Sequence, residues 1–141
     1  VVGIDISKTR INIAKKSLKN RKNIRFELAD VNEFKIKDYD TVILSDFLHH
    51  INYQKQNEFL KNVYKKTKKN SILIIQEVNP KKVTKQLIAS FADHILNPGK
   101  KIYYRSPKEF KDFLINIGFK VKIFPADEGL PLPDIIYVCK K

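Results

Sequence analysis

The sequence has few of the residues that cross-link a fold or form flexible phosphate-binding loops. Among its 141 residues there is one cysteine, Cys139, there are four glycines, and there is no methionine or tryptophan. A single cysteine excludes an intramolecular disulfide and a zinc site of several cysteines, and it fits a reducing cytoplasm. No run of about 18 apolar residues predicts a membrane span, and no signal-peptide pattern is present. Because methionine is absent even at position 1, we expect the chain to be part of a longer protein.

Positive charge is in large excess, since 28 lysines and arginines against 15 acids give a net charge of +13. Such a balance is typical of proteins that bind nucleic-acid phosphates. However, 24 of the basic residues are lysine and only four are arginine, whereas specific contacts to phosphates and guanines favour arginine. The lysines are also scattered along the chain. Nucleic acid is therefore an alternative partner that the sequence does not favour.

Apolar runs of strand length alternate with segments of helical period, which predicts an α/β fold with helices covering a sheet. Helix starts are predicted after Ser7, after Asn52, at Asn79-Pro80, and at the capping box of Ser106 and Glu109. The last two strands follow one another without a helix, so we expect them to pair antiparallel. The predicted strands are 1–4, 23–30, 39–46, 71–78, 119–124 and 134–139.

This pattern predicts a Rossmann-like, doubly wound sheet of three layers, mostly parallel, with a C-terminal antiparallel strand pair. In such sheets, ligands bind at the carboxyl ends of the strands. Polar residues follow three predicted strands there: Asp5, Asp30 and the segment 45–50. An acid directly after a buried strand can hold a ribose, although aspartate in this position also caps helices and starts turns.

The ordered set of segments resembles the class I S-adenosylmethionine (SAM)-dependent methyltransferases. The matching segments are "VVGIDIS" (1–7), "FELADV" (26–31), "YDTVILSDFLHHI" (39–51) and the C-terminal "SPKEFKDFLINIGFKVKIF" and "DIIYVCKK". Members of this family begin with a strand and a glycine-rich loop that hold the methionine end of the cofactor. Neither is present before Val1, so we expect 1–141 to be one methyltransferase domain that begins at its second strand and is incomplete at its N terminus.

The resemblance implies a site for the adenosyl part of SAM. Asp5 would accept hydrogen bonds from the ribose hydroxyls, and Ile6 would pack on the adenine. Asp30 would accept from the adenine amino group, and Val31 would offer its backbone amide nearby.

It also implies that the segment after the third strand lies along the methionine part, where Ser45 and Asp46 would contact the cofactor and His50 would lie close. His49 and His50 are the candidate general bases, because histidine titrates near neutrality. An alternative is that one histidine packs at the turn and the other lines the cofactor site, since the sequence offers neither an orienting partner. Asp46, His49 and His50 could hold a metal by residue type, but their spacing fits no metal motif, so none is expected.

We therefore expect a SAM-dependent methyltransferase that acts on a small-molecule or lipid-like acceptor. The segment 45–51 resembles the subgroup that methylates metabolites, and the Asn- or Asp-Pro-Pro-aromatic signature of many nucleic-acid enzymes is absent. The alternatives are an RNA methyltransferase, favoured only by charge, and a non-catalytic or degenerate cofactor-binding module, favoured by the absent glycine loop. A dehydrogenase would also use an acid after a strand, but the histidine pair and the terminal antiparallel strands argue against it.

Overall fold

The structure is a computed structural model that describes residues 1–18, 21–36, 39–80, 101–126 and 134–141. The helix predicted from Asn79-Pro80 lies mostly in 81–100, outside the described residues. The chain divides into two compact units, Val1–Lys35 and Ile36–Lys141. Each unit has its own sheet, and the single domain over 1–141 remains a prediction.

The first unit is a strand–helix–strand motif. It consists of β1 (Val2–Asp5), α1 (Lys8–Ser17) and β2 (Arg25–Leu28). The Ser7 side chain caps α1 by accepting from the Arg10 amide, as predicted, and β1 pairs parallel with β2. Gly3 lets the strand approach Phe26 closely, because a Cβ at this position would lie 2.8 Å from the ring. β1 has the predicted length but begins one residue later than expected, and β2 spans only four residues of the expected 23–30.

The second unit is a four-stranded sheet with helices. In chain order it consists of β3 (Thr41–Ser45), a 3₁₀ turn (Leu48–His50), α2 (Tyr53–Lys66), β4 (Ile72–Val78), α3 (Pro107–Ile117), β5 (Lys120–Pro125) and β6 (Asp134–Lys140). The strand order is β3-β4-β6-β5. β3 and β4 are parallel, whereas β6 is antiparallel to both β4 and β5. The predicted antiparallel C-terminal pair is therefore confirmed.

One face of this sheet forms the core. Leu44, Ile75 and Tyr137 are side by side on neighbouring strands and all are buried. Leu60 of α2 and Leu114 of α3 are also fully buried. Burial of a large apolar side chain contributes about 1.5–3 kcal/mol, so these side chains stabilise the sheet of the second unit.

The helix boundaries of this unit follow the capping residues. Asn52 accepts from the Lys55 amide at 2.9 Å and starts α2. Ser106 and Glu109 form the predicted capping box at the start of α3, and Gly118 ends that helix with φ of 122°. These contacts fix where the chain leaves each helix and returns to the sheet.

Candidate functional site

The carboxyl ends of β1 and β2 bring two of the predicted site residues to one edge of the first unit. Asp5 is in register with Leu28, and the Ala29 amide donates to the Asp5 carbonyl at 3.2 Å. Asp30 follows Ala29, directly after the carboxyl end of β2. Parallel pairing thus puts the two aspartates at adjacent strand ends, as expected from the sequence.

Each of these carboxylates is held by one oxygen on its own turn. The Ser7 amide donates to Asp5 Oδ1 at 2.7 Å, and the Asn32 amide donates to Asp30 Oδ1 at 2.8 Å. The turn-forming role that aspartate often has is therefore real at both positions. The turn contact uses one oxygen of each carboxylate and holds that carboxylate in a fixed orientation.

The second oxygens are less engaged. Asp5 Oδ2 lies 3.6 Å from the Arg10 guanidinium, a loose ion pair. Asp30 is exposed, and its Oδ2 has no hydrogen-bond partner among the described residues. Ile6 is 74% exposed, whereas Val31 is partly buried. The first unit therefore presents carboxylate oxygens and an apolar side chain that a ligand can contact.

In the second unit, Asp46 lies directly after β3 in the left-handed region, with φ of 47°. Its amide donates to the Gln76 carbonyl at 3.1 Å. The Ser45 hydroxyl lies 3.4 Å from Asp46 Oδ2. The side-chain amide of Gln76 donates to Asp134 Oδ2 at 3.0 Å. Partial withdrawal from water, with the nearby charges of Asp134 and Glu77, raises the pKa of Asp46 from 3.8 to about 6.

His49 is buried and paired with a carboxylate that was not predicted to orient it. Its Nδ1 lies 2.5 Å from Glu77 Oε2, and the Leu48 amide donates to Glu77 Oε1 at 2.8 Å. His49 and Glu77 are both less than one-tenth exposed. The expectation that neither histidine has an orienting partner is therefore wrong for His49. Glu77 is the penultimate residue of β4, and the sequence did not link it to His49 because the two are 28 residues apart.

The two histidines are close but differ in burial. Their ring centroids are 4.1 Å apart, and His50 is partly exposed whereas His49 is not. The Tyr103 amide donates to the His49 carbonyl at 2.9 Å, which fixes this turn to the segment before α3. The side-chain amide of Gln56 reinforces this attachment by donating to the backbone carbonyls of Leu48 and Tyr103.

A small, partly open cavity of about 20 Å³ lies beside this turn. Polar atoms come from His49, Gln56, Glu77 and Arg105, and apolar wall is supplied by residues such as Leu48 and Phe110. The cavity thus combines a histidine–carboxylate pair, a guanidinium and apolar surface. Convergent polar groups in a mainly apolar cavity are typical of small-molecule sites.

The parallel β–α–β motif and the polar strand ends define an α/β nucleotide-binding class of protein. The family model for the methyltransferase domain matches residues 1–111. The chain therefore belongs to the methyltransferase domain family, which confirms the resemblance to class I SAM-dependent methyltransferases.

Individual proteins agree with this assignment. The carboxy-S-adenosyl-L-methionine synthase of Campylobacter fetus subsp. fetus is 27% identical over 136 residues, which cover 84% of this chain and 58% of that protein. The chain thus spans little more than half the length of this relative. A SAM-dependent methyltransferase from Archaeoglobus fulgidus matches with a TM-score of 0.73 at 20% identity, covering 99% of this chain and 75% of that one.

A third match is magnesium protoporphyrin IX methyltransferase from Synechocystis PCC 6803 with bound SAH, with a TM-score of 0.73 and 20% identity. It covers 100% of this chain and 64% of that one. These solved structures confirm the Rossmann-like α/β fold. Among the described residues, no helix is both long and apolar enough to span a bilayer.

Proposed function

We propose that the protein binds SAM and catalyses transfer of its methyl group to a small-molecule acceptor. Membership of the methyltransferase domain family supports the reaction class. The observation that carries the proposal is the pair of aspartates at adjacent parallel strand ends, each with one oxygen fixed by its own turn. A ribose and an adenine of one nucleoside need acceptors at such a strand edge.

For the first unit, we propose that it holds the adenosyl part. Asp5 accepts from the ribose hydroxyls, and Asp30 accepts from the adenine amino group. The exposed Ile6 side chain covers the adenine face, and the Val31 amide donates to the ring. Ordered carboxylates suit this role because their orientation is set before the ligand arrives, which lowers the entropy lost on binding.

For the second unit, we propose that Ser45, Asp46 and His50 contact the methionine part of SAM. This part carries an ammonium and a sulfonium group, both of which are attracted to a carboxylate. Asp46 is the carboxylate with the raised pKa of about 6, so it is mostly ionised at pH 7. The interaction should therefore strengthen as the pH rises from 5 to 7.

SAM supplies a methyl group already activated by the positive sulfur. The protein's part is to align the acceptor atom and, where that atom carries a proton, to remove it. We propose His49 as the base, with Glu77 as its positioning residue. The carboxylate holds the ring through Nδ1 and stabilises the positive charge that forms when the ring takes a proton, the arrangement used by histidine bases elsewhere. His50 remains the second candidate base.

The proposal of a small acceptor rests on the modest volume of the cavity beside His49. The magnesium protoporphyrin IX methyltransferase, whose fold this chain shares, has a small-molecule acceptor in its name. We also propose that the protein acts in the cytoplasm, where its buried, unpaired Cys139 stays reduced. Burial raises the pKa of that thiol to about 12, which makes it unreactive.

Titration of SAM into the full-length protein tests the proposal. Asn in place of Asp5 or Asp30 retains an oxygen for the turn contacts from Ser7 and Asn32 but removes the charge. Loss of a charge-assisted hydrogen bond is expected to weaken SAM binding about 10- to 100-fold in each variant. Calorimetry measures the dissociation constants.

Asp40→Asn is the matched control, because the Asp40 side chain is 90% exposed and lies before β3 rather than at its carboxyl end. It should bind SAM as the wild type does. Wild-type affinity in both the Asp5 and the Asp30 variant would contradict the proposed adenosyl site.

A further inference from the structure

Arg105 is a partly buried cation that the proposed reaction has not used. It lies in the segment just before α3 and lines the cavity beside His49. Its guanidinium carbon is 4.7 Å from the ring centroid of Tyr53 and 5.0 Å from that of Phe113. Two aromatic rings therefore hold the guanidinium group in place.

The hydrogen bonds of Arg105 all go to neutral groups. Nε donates to Gln56 Oε1 at 2.8 Å, and one terminal nitrogen, Nη2, donates to Asn57 Oδ1 at 2.8 Å. The other terminal nitrogen, Nη1, donates to no described residue, and no described carboxylate lies within 4 Å of the group. Burial lowers the pKa of Arg105, as expected for a cation that has given up water. The charge of Glu109 partly offsets this effect, but Glu109 forms no ion pair with Arg105.

Glu77, the acid in the cavity lining, does not balance the positive charge of Arg105 either. Glu77 also lines the cavity, but both of its oxygens are engaged, one with the Leu48 amide and the other with His49. Among the described residues that line the cavity, Arg105 is the only lysine or arginine. A single planar guanidinium with an uncommitted edge matches one carboxylate, because the two groups can form parallel hydrogen bonds.

The rest of the wall indicates what is attached to that carboxylate. Leu48, Val78 and Phe110 provide apolar surface, and Tyr103 and Tyr104 provide aromatic rings. The cavity is small, so it receives the acidic end of a molecule rather than a large molecule whole. An apolar or aromatic portion next to the acid would contact these side chains.

We infer that the cavity binds the carboxylate of an organic acid, and that the methyl acceptor is therefore a carboxylic acid with an apolar or aromatic body. The identification of this acid as the methyl acceptor rests on the proposed function. The carboxylate pairs with Arg105, and the body of the acid lies along the tyrosines next to His49. Arg105 binds and orients the acceptor without taking part in proton or methyl transfer.

The test uses benzoate, its uncharged analogue benzamide, and phenyl phosphate, titrated separately into the full-length protein by calorimetry. Benzoate should bind at least tenfold more tightly than benzamide. In Arg105→Gln, benzoate binding should fall about 10- to 100-fold, whereas benzamide binding should change little, because one charge-assisted pair is lost. Arg105→Lys keeps the charge but loses the planar fork, so it should bind benzoate with intermediate affinity. It also provides a folded variant if Arg105→Gln does not fold.

Lys101→Gln is the matched control. Lys101 lies 5.5 Å from the Tyr103 ring centroid and is exposed, so this variant removes the same charge from the same segment without altering the cavity wall. It should bind benzoate like the wild type. Equal loss in Lys101→Gln, or no loss in Arg105→Gln and Arg105→Lys, would overturn the inference. Tighter binding of phenyl phosphate than of benzoate would overturn the choice of a carboxylate.

The outcome is separable from that of the proposed function. SAM affinity should be unchanged in Arg105→Gln, and a large loss would mean that the cavity belongs to the cofactor and that the inference is wrong. Arg105-dependent benzoate binding without SAM binding would contradict the proposed function alone. SAM binding without benzoate binding would contradict this inference alone.

Discussion

Replacement of Asp46 by asparagine should stabilise the protein above pH 6 and leave its stability unchanged near pH 4. The pKa of Asp46 in the folded state is about 6, raised from 3.8 mainly by burial and by the charges of Asp134 and Glu77. The folded state therefore binds the Asp46 proton more tightly than the unfolded state does. By linkage, the free energy of unfolding contributed by this group is fully present below pH 3.8 and is lost as the pH rises through about 6.

The size of the effect follows from the shift. The full difference between 3.8 and about 6 corresponds to about 3 kcal/mol. Part of the Asp46 side chain meets solvent, so screening reduces this to about 1 kcal/mol. Asparagine removes the charge, and it tolerates the φ of 47° at this position. Its amide can still accept from the Gln76 side chain, whose bond to Asp46 is long at 3.5 Å.

Thermal unfolding of wild type and Asp46→Asn, followed by circular dichroism between pH 4 and pH 8, measures the effect. A difference of about 1 kcal/mol corresponds to a melting temperature about 3 °C higher for the variant at pH 7 to 8. The difference should disappear towards pH 4. Asp40→Asn, at an exposed side chain, should show no such dependence. A difference between wild type and Asp46→Asn that stays constant across this range would refute the reasoning.

Two further substitutions test the histidine–carboxylate pair and the end of α3. Glu77→Gln should lower kcat about 100-fold for an acceptor that must lose a proton, with the KM for SAM unchanged, and should not affect an acceptor already deprotonated; equal loss for both acceptors would contradict a base role. Gly118→Ala should lower the melting temperature by several degrees, because φ is 122° and the new Cβ would lie 2.6 Å from the Tyr64 hydroxyl. Asn70→Gly, at another left-handed position with φ of 67°, should not lower the melting temperature. An unchanged melting temperature in Gly118→Ala would show that the strain is relieved.

The fold was largely predictable because its signals are local. Ser7, Asn52 and Ser106 cap helices through side chains that bond an amide three residues later, and all three were visible as caps in the sequence. The parallel strands followed from their apolar runs, and the antiparallel last pair followed from the absence of an intervening helix. Strand bounds were less accurate, since β2 ends at Leu28, two residues before the expected end.

The strand-end aspartates were also accessible from sequence, for a related reason. Once β1 and β2 are assigned as parallel neighbours, the residues that follow them must lie at the same edge. Asp5 and Asp30 can be identified as candidate site residues from their position after a strand alone, without knowledge of their contacts. Their turn contacts, which fix one oxygen of each, come from residues only two positions away.

The contacts of Glu77 and Arg105 were not predicted, because their partners are distant in the sequence. Glu77 reaches His49 across 28 residues of sequence, and Arg105 reaches Gln56 across 49. Neither residue belongs to a motif, and a search near His49 for an orienting acid could not find one on the next strand. The register of β3 against β4 supplies the missing step: Ser45 pairs with Gln76, so the residues after each meet at the same edge.

That register gives the second unit its chemical character. Asp46 and Glu77 follow directly on the paired residues Ser45 and Gln76, so the strand pairing that buries Leu44 and Ile75 also brings two carboxylates together at its end. Their environments then separate them. Glu77 is engaged by His49 and by a backbone amide, whereas Asp46 lies nearer to solvent with a raised pKa. This difference supports the proposed roles, in which Glu77 positions His49 as a base and Asp46 attracts the cationic part of the methyl donor.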